Sequence, residues 1–301
     1  MREDVLAMIE YRDQPSILVF ADSDQAQARA REAVAAADCR IAAMMGPAEA
    51  LTQLDRCAAD VVYAEIAEGG DEAWIAPLLD RLAAEAGAGR RSVIALPGAL
   101  LDLAAARAWH SGVDLLPDPD EAERAAALSI ASHPPAARLN DVSRQGNALL
   151  HQLSEEAARI ANILANLSGD EAGGETEPAP AEEDEPAMSA PQIRAIIRAR
   201  RMRDQFFRGE LFADPAWDML LDLMAARLEQ SRVAVSSLCI AAAVPATTAL
   251  RWIKALTDRD IFIRSADPRD GRRVYIELSD EAARALNAYL RAIQRIAPAV
   301  I

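Results

Sequence analysis

The N-terminal part of the chain alternates short apolar runs with longer segments of helical periodicity. The apolar runs cover residues 17–20, 41–45, 61–66, 92–96 and 113–116, and a helix-like segment follows each of them. Short, continuously apolar strands separated by helices are typical of parallel strands that are buried on both faces. The pattern therefore predicts a multidomain chain whose first domain, residues 1–133, is a doubly wound α/β domain of five (βα) units.

A different periodicity follows in residues 134–168. From Leu139 to Leu167, nine positions recur at alternate steps of three and four, and seven of them are apolar. About four heptads of this kind predict a connector helix that forms a coiled coil with a copy of itself. Gly146 and Glu156 interrupt the apolar seam, and a single helix lying on the first domain is the alternative.

Residues 169–190 are rich in Glu, Asp, Pro, Gly and Ala, and they contain no aromatic residue. Such a segment buries too little apolar surface to fold, so it is predicted to be a disordered acidic linker. A plain spacer is the preferred interpretation. The alternative is a segment that lies over the basic C-terminal domain as a mimic of DNA.

The remaining residues, 191–301, have the pattern helix, turn, helix, hairpin. A short helix carries Leu238 and Ile240, and a second helix has Pro245 in its first turn, where a missing N–H costs nothing. Two β-rich runs, 261–264 and 274–278, flank a charged tip that contains Pro and Gly. Basic and apolar helical segments over 192–207, from 214 onward and over 280–296 surround this core. The order predicts an α+β winged helix-turn-helix domain.

The second of these helices has two different faces. At about 100° per residue, one face gathers small and apolar residues, namely Ala246, Ala249, Leu250, Ile253 and Leu256. The opposite face carries Thr247, Thr248, Arg251 and Ala255. Hydroxyl, methyl and guanidinium groups suit the edges of bases in the DNA major groove, although an ordinary solvated face has the same composition.

The charge of the chain is unevenly divided. The net charge of the 301 residues is −15, yet residues 191–301 contain 18 Lys and Arg against 13 Asp and Glu. The excess of basic residues therefore coincides with the predicted winged helix, as expected for a domain that binds nucleic acid.

Two motifs in this domain resemble those of MarR-type transcriptional regulators. Asp270-x-Arg272, then five intervening residues and Leu278-Ser279, is similar to the wing signature D-x-R-x5-L-T, with Ser in place of Thr. The run from Thr248 to Arg251 is similar to the recognition helix of that family. The resemblance covers about residues 191–301, and it implies a homodimer that binds double-stranded, palindromic DNA and pairs through the first and last helices of the domain. The residues expected to contact DNA are Thr247, Thr248, Arg251, Lys254, Arg264, Arg269, Arg272 and Arg273.

The first domain resembles a response-regulator receiver that has lost its phosphotransfer groups. Only Asp22 of the acidic pair is present, and Glu65 stands at the phospho-acceptor position. Pro97 replaces the switch hydroxyl, and Asp118 replaces the lysine. The resemblance therefore implies a pseudo-receiver that dimerises or docks a regulatory protein without phosphorylation. Asp22, Glu65 and Asp118 are interpreted as solvated carboxylates at loop starts and helix N-caps, with Glu65 as a fixed charge mimic the alternative.

No motif in the sequence indicates enzymatic activity. The sequence lacks a nucleophile-elbow motif, a phosphate-binding glycine loop and metal-ligand spacings, and its three histidines and three cysteines are scattered. No catalytic residue, metal or cofactor is expected. An odd number of cysteines, no long uncharged apolar run and no signal-peptide core favour a cytoplasmic protein without a membrane span.

A dimeric regulator of transcription is the function that these patterns favour. A protein-interaction adaptor, whose winged helix has become a docking surface, is one alternative. A ligand-sensing MarR-type repressor is another, although no residue pattern identifies a ligand.

Overall fold

The computed structural model describes residues 14–46, 49, 52–69, 72–110, 112–133, 186–207 and 212–296. The predicted coiled coil, 134–168, and most of the predicted linker lie outside the described residues. Residues 186–190, the last part of that linker segment, are described: Met188 is buried, and Ala187 donates its backbone N–H to Asn287 Oδ1 at 2.6 Å. Apart from His133, the described residues belong to one unit, formed by residues 1–132 and 186–301.

The first part of this unit is a five-stranded parallel sheet. Its strands are β1 (Ser16–Ala21), β2 (Arg40–Met45), β3 (Val61–Glu65), β4 (Arg91–Leu96) and β5 (Val113–Pro117). They lie in the order β2-β1-β3-β4-β5, with one register shift, between β1 and β2. The order reverses direction at β1, as in doubly wound α/β domains of this strand order. The predicted parallel sheet is thus present in the structure.

Helices cover both faces of this sheet because alternate strand residues point to opposite sides. The helices are α1 (Asp24–Ala36), α2 (Glu72–Gly87), α3 (Leu101–Ala108) and α4 (Glu121–Ser132). Ile17 and Val19 share one core cluster with α1 and α4, whereas Leu18 and Phe20 share the other with α2 and α3. In the helix-like segment expected after β2, residues Leu54–Arg56 form a 3₁₀ turn.

The second part combines helices with a small antiparallel sheet. Its elements are α5 (Ala190–Met202), α6 (Pro215–Leu228), β6 (Val233–Ala234), α7 (Val235–Ala241), α8 (Ala246–Thr257), β7 (Phe262–Ala266), β8 (Val274–Leu278) and α9 (Asp280–Ile296). The sheet has the order β6-β8-β7. Strand β7 begins one residue and ends two residues later than predicted, since Ser265 and Ala266 still pair with Tyr275 and Val274.

Helices α7 and α8 form a helix-turn-helix. They cross at 109°, within the range of about 90–120° typical of this motif. The turn contains Ala243 in a left-handed conformation, at a φ of 53°. Pro245 precedes α8 instead of lying inside its first turn, and its carbonyl accepts from Ala249 N at 3.0 Å. With the β7–β8 hairpin behind α8, residues 233–278 have the architecture of a winged helix-turn-helix.

The two parts pack against each other through α3. On one side of α3, Leu103 and Ala104 contribute to the core beneath the parallel sheet. On the other side, Leu101 and Ala105 belong to the core cluster of the winged region, together with Leu238 and Leu250. A short helix with small residues therefore has apolar contacts on both of its sides. Among the described helices, no single one is long and apolar enough to cross a membrane, and only the bent pair α7 and α8 passes that test together.

Candidate nucleic-acid interface

Helix α8 separates a buried face from a polar stripe. Ala249, Leu250, Ile253 and Leu256 are buried, as the sequence predicts, and Ala246 on the same face is half-buried. Thr247, Arg251 and Lys254 follow one another at steps of four and three residues and therefore lie on one side of the helix. We call these three residues the recognition stripe. Thr248 is half-buried beside it, and Trp252 keeps 38% of its surface exposed.

The recognition stripe faces the α/β domain. Thr247 Oγ1 donates to Glu123 Oε1, in the first turn of α4, at 3.3 Å. Arg251 and Lys254 line a crevice that opens to solvent, and its other wall includes Trp109 and Asp114. Thr247 therefore contacts the α/β domain in this structure, whereas Arg251 is exposed and Lys254 is half-buried along the crevice.

Arg264, from β7, reaches the same domain. Its Nη2 donates to the carbonyl oxygens of Ala105 and Ala106, at 2.6 and 3.1 Å, and its guanidinium lies 5.5 Å from the centre of the Trp109 ring. These carbonyls lie near the C-terminal end of α3, where helix carbonyls lack intrahelical partners and carry partial negative charge. Burial lowers the pKa of Arg264.

Asp102 makes a third contact between the two parts. Its carboxylate accepts from the backbone N–H of Ser236 at 2.9 Å and from the Ser236 hydroxyl at 2.7 Å. Ser236 lies in the first turn of α7, where backbone N–H groups have no partner within the helix. Asp102 therefore accepts a hydrogen bond from a backbone N–H at the start of the helix-turn-helix, although it lies 134 residues earlier in the chain.

The three anchors that belong to the α/β domain, Asp102, Trp109 and Glu123, were not among the predicted site residues. Each lies in a helix or loop with no motif of its own, and each meets a partner more than a hundred residues further along the chain. Only the three-dimensional packing brings them to the stripe, so no local signal was present to find them.

The tip of the wing is exposed and shaped by aspartates. Asp267 accepts from Arg269 N at 2.8 Å, and Asp270 accepts from Arg272 N at 3.1 Å. Arg272 and Arg273 place side-chain nitrogens 3.1 and 3.7 Å from the Asp270 carboxylate and keep 59% and 60% of their side chains exposed. The hydrogen bond from the Arg272 side chain lowers the pKa of Asp270. The predicted wing arginines are therefore grouped at the exposed tip of the hairpin.

Glu65 has an environment opposite to the one expected from the sequence. It is only 1% exposed and accepts hydrogen bonds from Arg29 Nε at 2.7 Å and from Arg124 Nε at 3.0 Å. The Tyr63 hydroxyl also donates to it. The interpretation of Glu65 as a solvated carboxylate is wrong, because the fold places it at the buried end of β3 and supplies two guanidinium groups.

The neighbours of Glu65 respond to the same burial. Burial raises the pKa of Tyr63, and the nearby Glu65 carboxylate raises it further. Burial alone would lower the pKa of Arg124, but its hydrogen bond to Glu65 raises it overall. The buried carboxylate is thus neutralised by fixed side chains.

Asp22 and Asp118 remain closer to the expectation. Asp22 is half-buried and accepts from Ala67 N at 3.0 Å, whereas Asp118 is exposed and accepts from Gly98 N at 3.0 Å. Each carboxylate holds a loop at the C-terminal edge of the sheet. Within the described part of the chain, no group of three His, Cys, Asp or Glu side chains could hold a metal ion.

Comparison with known proteins gives structural neighbours only. No family model matches the sequence, and no curated protein matches it. A probable transcriptional regulator from Pseudomonas aeruginosa is 24% identical, over 37% of this chain and 82% of that chain, at a TM-score of 0.22. The PcaV transcriptional regulator from Streptomyces coelicolor is 19% identical, over 36% of this chain and 77% of that chain, at a TM-score of 0.22. BpsR from Bordetella bronchiseptica is 20% identical, over 37% of this chain and 80% of that chain, at a TM-score of 0.23. Since these TM-scores are low, the fold assignment rests on the elements and strand pairing described above.

Proposed function

We propose that the protein is a DNA-binding transcriptional regulator of the MarR type. The observation that carries this proposal is the combination of a 109° helix-turn-helix, a polar stripe on its second helix and an arginine-tipped hairpin behind it. These are the parts with which winged helices bind the major groove and the adjacent backbone.

The recognition stripe supplies the groups that would read bases. Arg251 has the fork geometry that grips guanine through two hydrogen bonds, and Thr247 and Thr248 donate, accept or meet a thymine methyl group. Lys254 and Arg264 extend the same surface with positive charge. The apolar residues opposite the stripe pack α8 into the domain core.

The wing supplies contacts that do not depend on base sequence. Arg269, Arg272 and Arg273 lie together on the exposed tip. Arginines on such a hairpin neutralise phosphates and enter the minor groove, and this contribution weakens as salt rises.

A homodimer is the form in which we propose that the protein binds palindromic DNA. Met202, Phe206 and Phe207, at the end of α5 and just beyond it, are 51%, 75% and 53% exposed. Apolar side chains exposed together in this way favour burial against a partner surface. A second copy would bury them, and its own α8 would occupy the second half-site.

In this proposal, the α/β domain is a pseudo-receiver that works without phosphorylation. Its support is the buried Glu65 carboxylate, already neutralised by Arg29 and Arg124. A carboxylate enclosed in this way offers no free acceptor oxygen.

A second candidate function is a protein-docking adaptor. The observation that favours it is the contact between Thr247 and Glu123, because the stripe of α8 here meets protein. In that case α8 would bind protein surfaces in general, and duplex DNA would bind only through bulk charge.

The proposal is tested by fluorescence anisotropy with a labelled duplex taken from the region upstream of the protein's own gene. We expect binding that weakens from low to moderate salt, and we expect Arg272→Ala to reduce the slope of log affinity against log salt by about one. Arg31→Ala, which removes an exposed arginine from α1 of the α/β domain, is the matched control and should leave the slope unchanged. Binding that is equally weak in all three proteins would favour the adaptor.

A further inference from the structure

We infer that the α/β domain and duplex DNA compete for one surface of the winged region, so that the arrangement seen here is a closed state of the protein. This inference rests on the proposed DNA-binding function. It adds a regulated step to it: the α/β domain must leave the recognition stripe before α8 can enter a major groove.

The contact is built from side chains with specific partners. Asp102 binds the first turn of α7, and Glu123 binds Thr247 at the start of α8. Arg264 of β7 binds carbonyls near the end of α3. The anchors therefore hold both helices of the helix-turn-helix and the first strand of the wing.

Negative groups of the α/β domain occupy positions that face the basic surface. Asp102 and Glu123 carry full charges, the end of α3 carries partial charge, and Asp114 lies across the crevice from Arg251 and Lys254. A phosphate backbone would supply the same sign of charge to the same residues. Arg91 lies 3.6 Å from Asp114, and so part of that charge is already neutralised within the α/β domain.

Steric exclusion follows from the position of Thr247. A recognition helix uses its N-terminal residues to reach base edges in the groove. Thr247 is the second residue of α8, and its hydroxyl lies 3.3 Å from Glu123. A DNA duplex therefore cannot approach this end of α8 while α4 remains in place.

The first turn of α4 joins this contact to the buried charge cluster. Arg124 binds Glu65, and the preceding residue, Glu123, binds Thr247. Glu123 also accepts from Asp120 N at 3.1 Å, which fixes its own position at the helix start. The Glu65 cluster therefore acts as a positioning device for the side chain that covers α8.

The wing tip keeps most of its arginine surface exposed. Arg272 and Arg273 remain mostly exposed while Thr247 and Arg264 bind the α/β domain. The closed state thus retains contacts that bind phosphates without sequence preference, and it withholds those that read bases.

The effect on affinity follows from the fraction of open protein. Apparent affinity falls in proportion to that fraction, and so a protein that is about 90% closed binds DNA about tenfold more weakly than one that is fully open. We expect Asp102→Ala, which removes the acceptor for Ser236, to tighten DNA binding by several-fold. Glu32→Ala removes an exposed acidic residue from α1 and is the control for the change in net charge.

A reversible lock gives the decisive experiment. Asp102→Cys and Ser236→Cys are combined in the full chain with Cys39, Cys57 and Cys239 replaced by Ala. A short bis-methanethiosulfonate reagent then bridges the two new thiols, and a reductant removes the bridge. Mass spectrometry confirms the bridge, and circular dichroism confirms the fold. DNA affinity is measured before bridging, after bridging and after reduction.

We expect bridging to weaken DNA binding at least tenfold and reduction to restore it. The single variant Ser236→Cys, treated with the same reagent, should bind DNA as before. If the bridged protein binds as tightly as the reduced protein, or if no bridge forms in folded protein, the inference is overturned while the proposed function stands. If neither the reduced double variant nor Asp102→Ala binds any duplex, the proposed function itself fails.

Discussion

The recognition stripe and the wing tip belong to one winged region, yet their surroundings differ. Thr247 on the stripe and Arg264 beside it bind side chains and carbonyls of the α/β domain. Arg272 and Arg273 at the tip pair with Asp270, which lies two and three residues before them, and their side chains stay mostly exposed. The α/β domain therefore contacts the proposed DNA surface at Thr247 and Arg264 and leaves the wing arginines mostly exposed.

This difference separates affinity from specificity. Contacts with phosphates provide affinity that depends on salt, whereas contacts with base edges distinguish sequences. A protein whose tip is open and whose stripe is covered is expected to bind DNA loosely and without preference. Release of the α/β domain then adds sequence discrimination to a complex that has already formed.

The largest expected effect is a loss of unfolding free energy when the buried Glu65 cluster, which positions Glu123 against α8, is broken. Glu65→Ala leaves Arg29 and Arg124 without their shared acceptor. Removal of one partner of a buried ion pair costs about 3–5 kcal/mol of unfolding free energy. We expect a value at the low end, because 31% of the Arg29 side chain is exposed to solvent. Chemical denaturation measures this loss.

The control for this prediction is Glu68→Ala, which removes an exposed carboxylate from the loop after β3. It should leave the denaturation midpoint unchanged. An equal midpoint for Glu65→Ala would show that the buried cluster contributes nothing to the stability of the α/β domain.

A smaller effect on DNA binding distinguishes the recognition stripe from the wing tip when the α/β domain has been released. In the Asp102→Ala background, Arg251→Ala should lose about 1–3 kcal/mol of discrimination between an operator and a scrambled duplex, roughly 5- to 150-fold. Arg272→Ala should weaken binding to both duplexes alike. Competition anisotropy with the two duplexes measures the ratio. A uniform loss for Arg251→Ala would place this residue among the backbone contacts.

The smallest effect concerns a thiol beneath the covered surface. Burial raises the pKa of Cys239 to about 12, and the nearby Asp102 carboxylate adds to the increase. The thiolate is the reactive form, so Cys57, which is half-buried, should react with a thiol reagent before Cys239 at pH 8. Asp102→Ala should speed the reaction of Cys239 a few-fold. Equal rates in the two proteins would argue that Asp102 does not restrain this part of α7.

Local patterns were sufficient to predict much of this structure. Continuous apolar runs predicted the five parallel strands, and the two faces of α8 predicted which residues are buried. The helical segment predicted from residue 214 onward matches α6, where Asp214 Oδ1 accepts from Trp217 N at 3.4 Å. Such signals arise within a few residues of the element that they define.

Contacts between distant parts of the chain were not predictable in this way. The sequence predicts a solvated Glu65, because nothing in the pattern of residues indicates that Arg29 and Arg124 lie next to it in the fold. The cover over α8 was missed for the same reason, since Asp102 and Glu123 have no motif that separates them from other surface carboxylates. In both cases tertiary packing determines which charged groups meet.

Hydrogen exchange of the full chain, with and without a saturating duplex, tests the central claim most directly. If DNA displaces the α/β domain from the recognition stripe, amides of α8 should exchange more slowly with DNA bound, and amides of Leu101–Ala108 should exchange faster. The opposite effects report, in one experiment, that α8 is engaged and that α3 has been released. Slower exchange in both helices, or unchanged exchange in α3 while α8 is protected, would contradict competition for a shared surface.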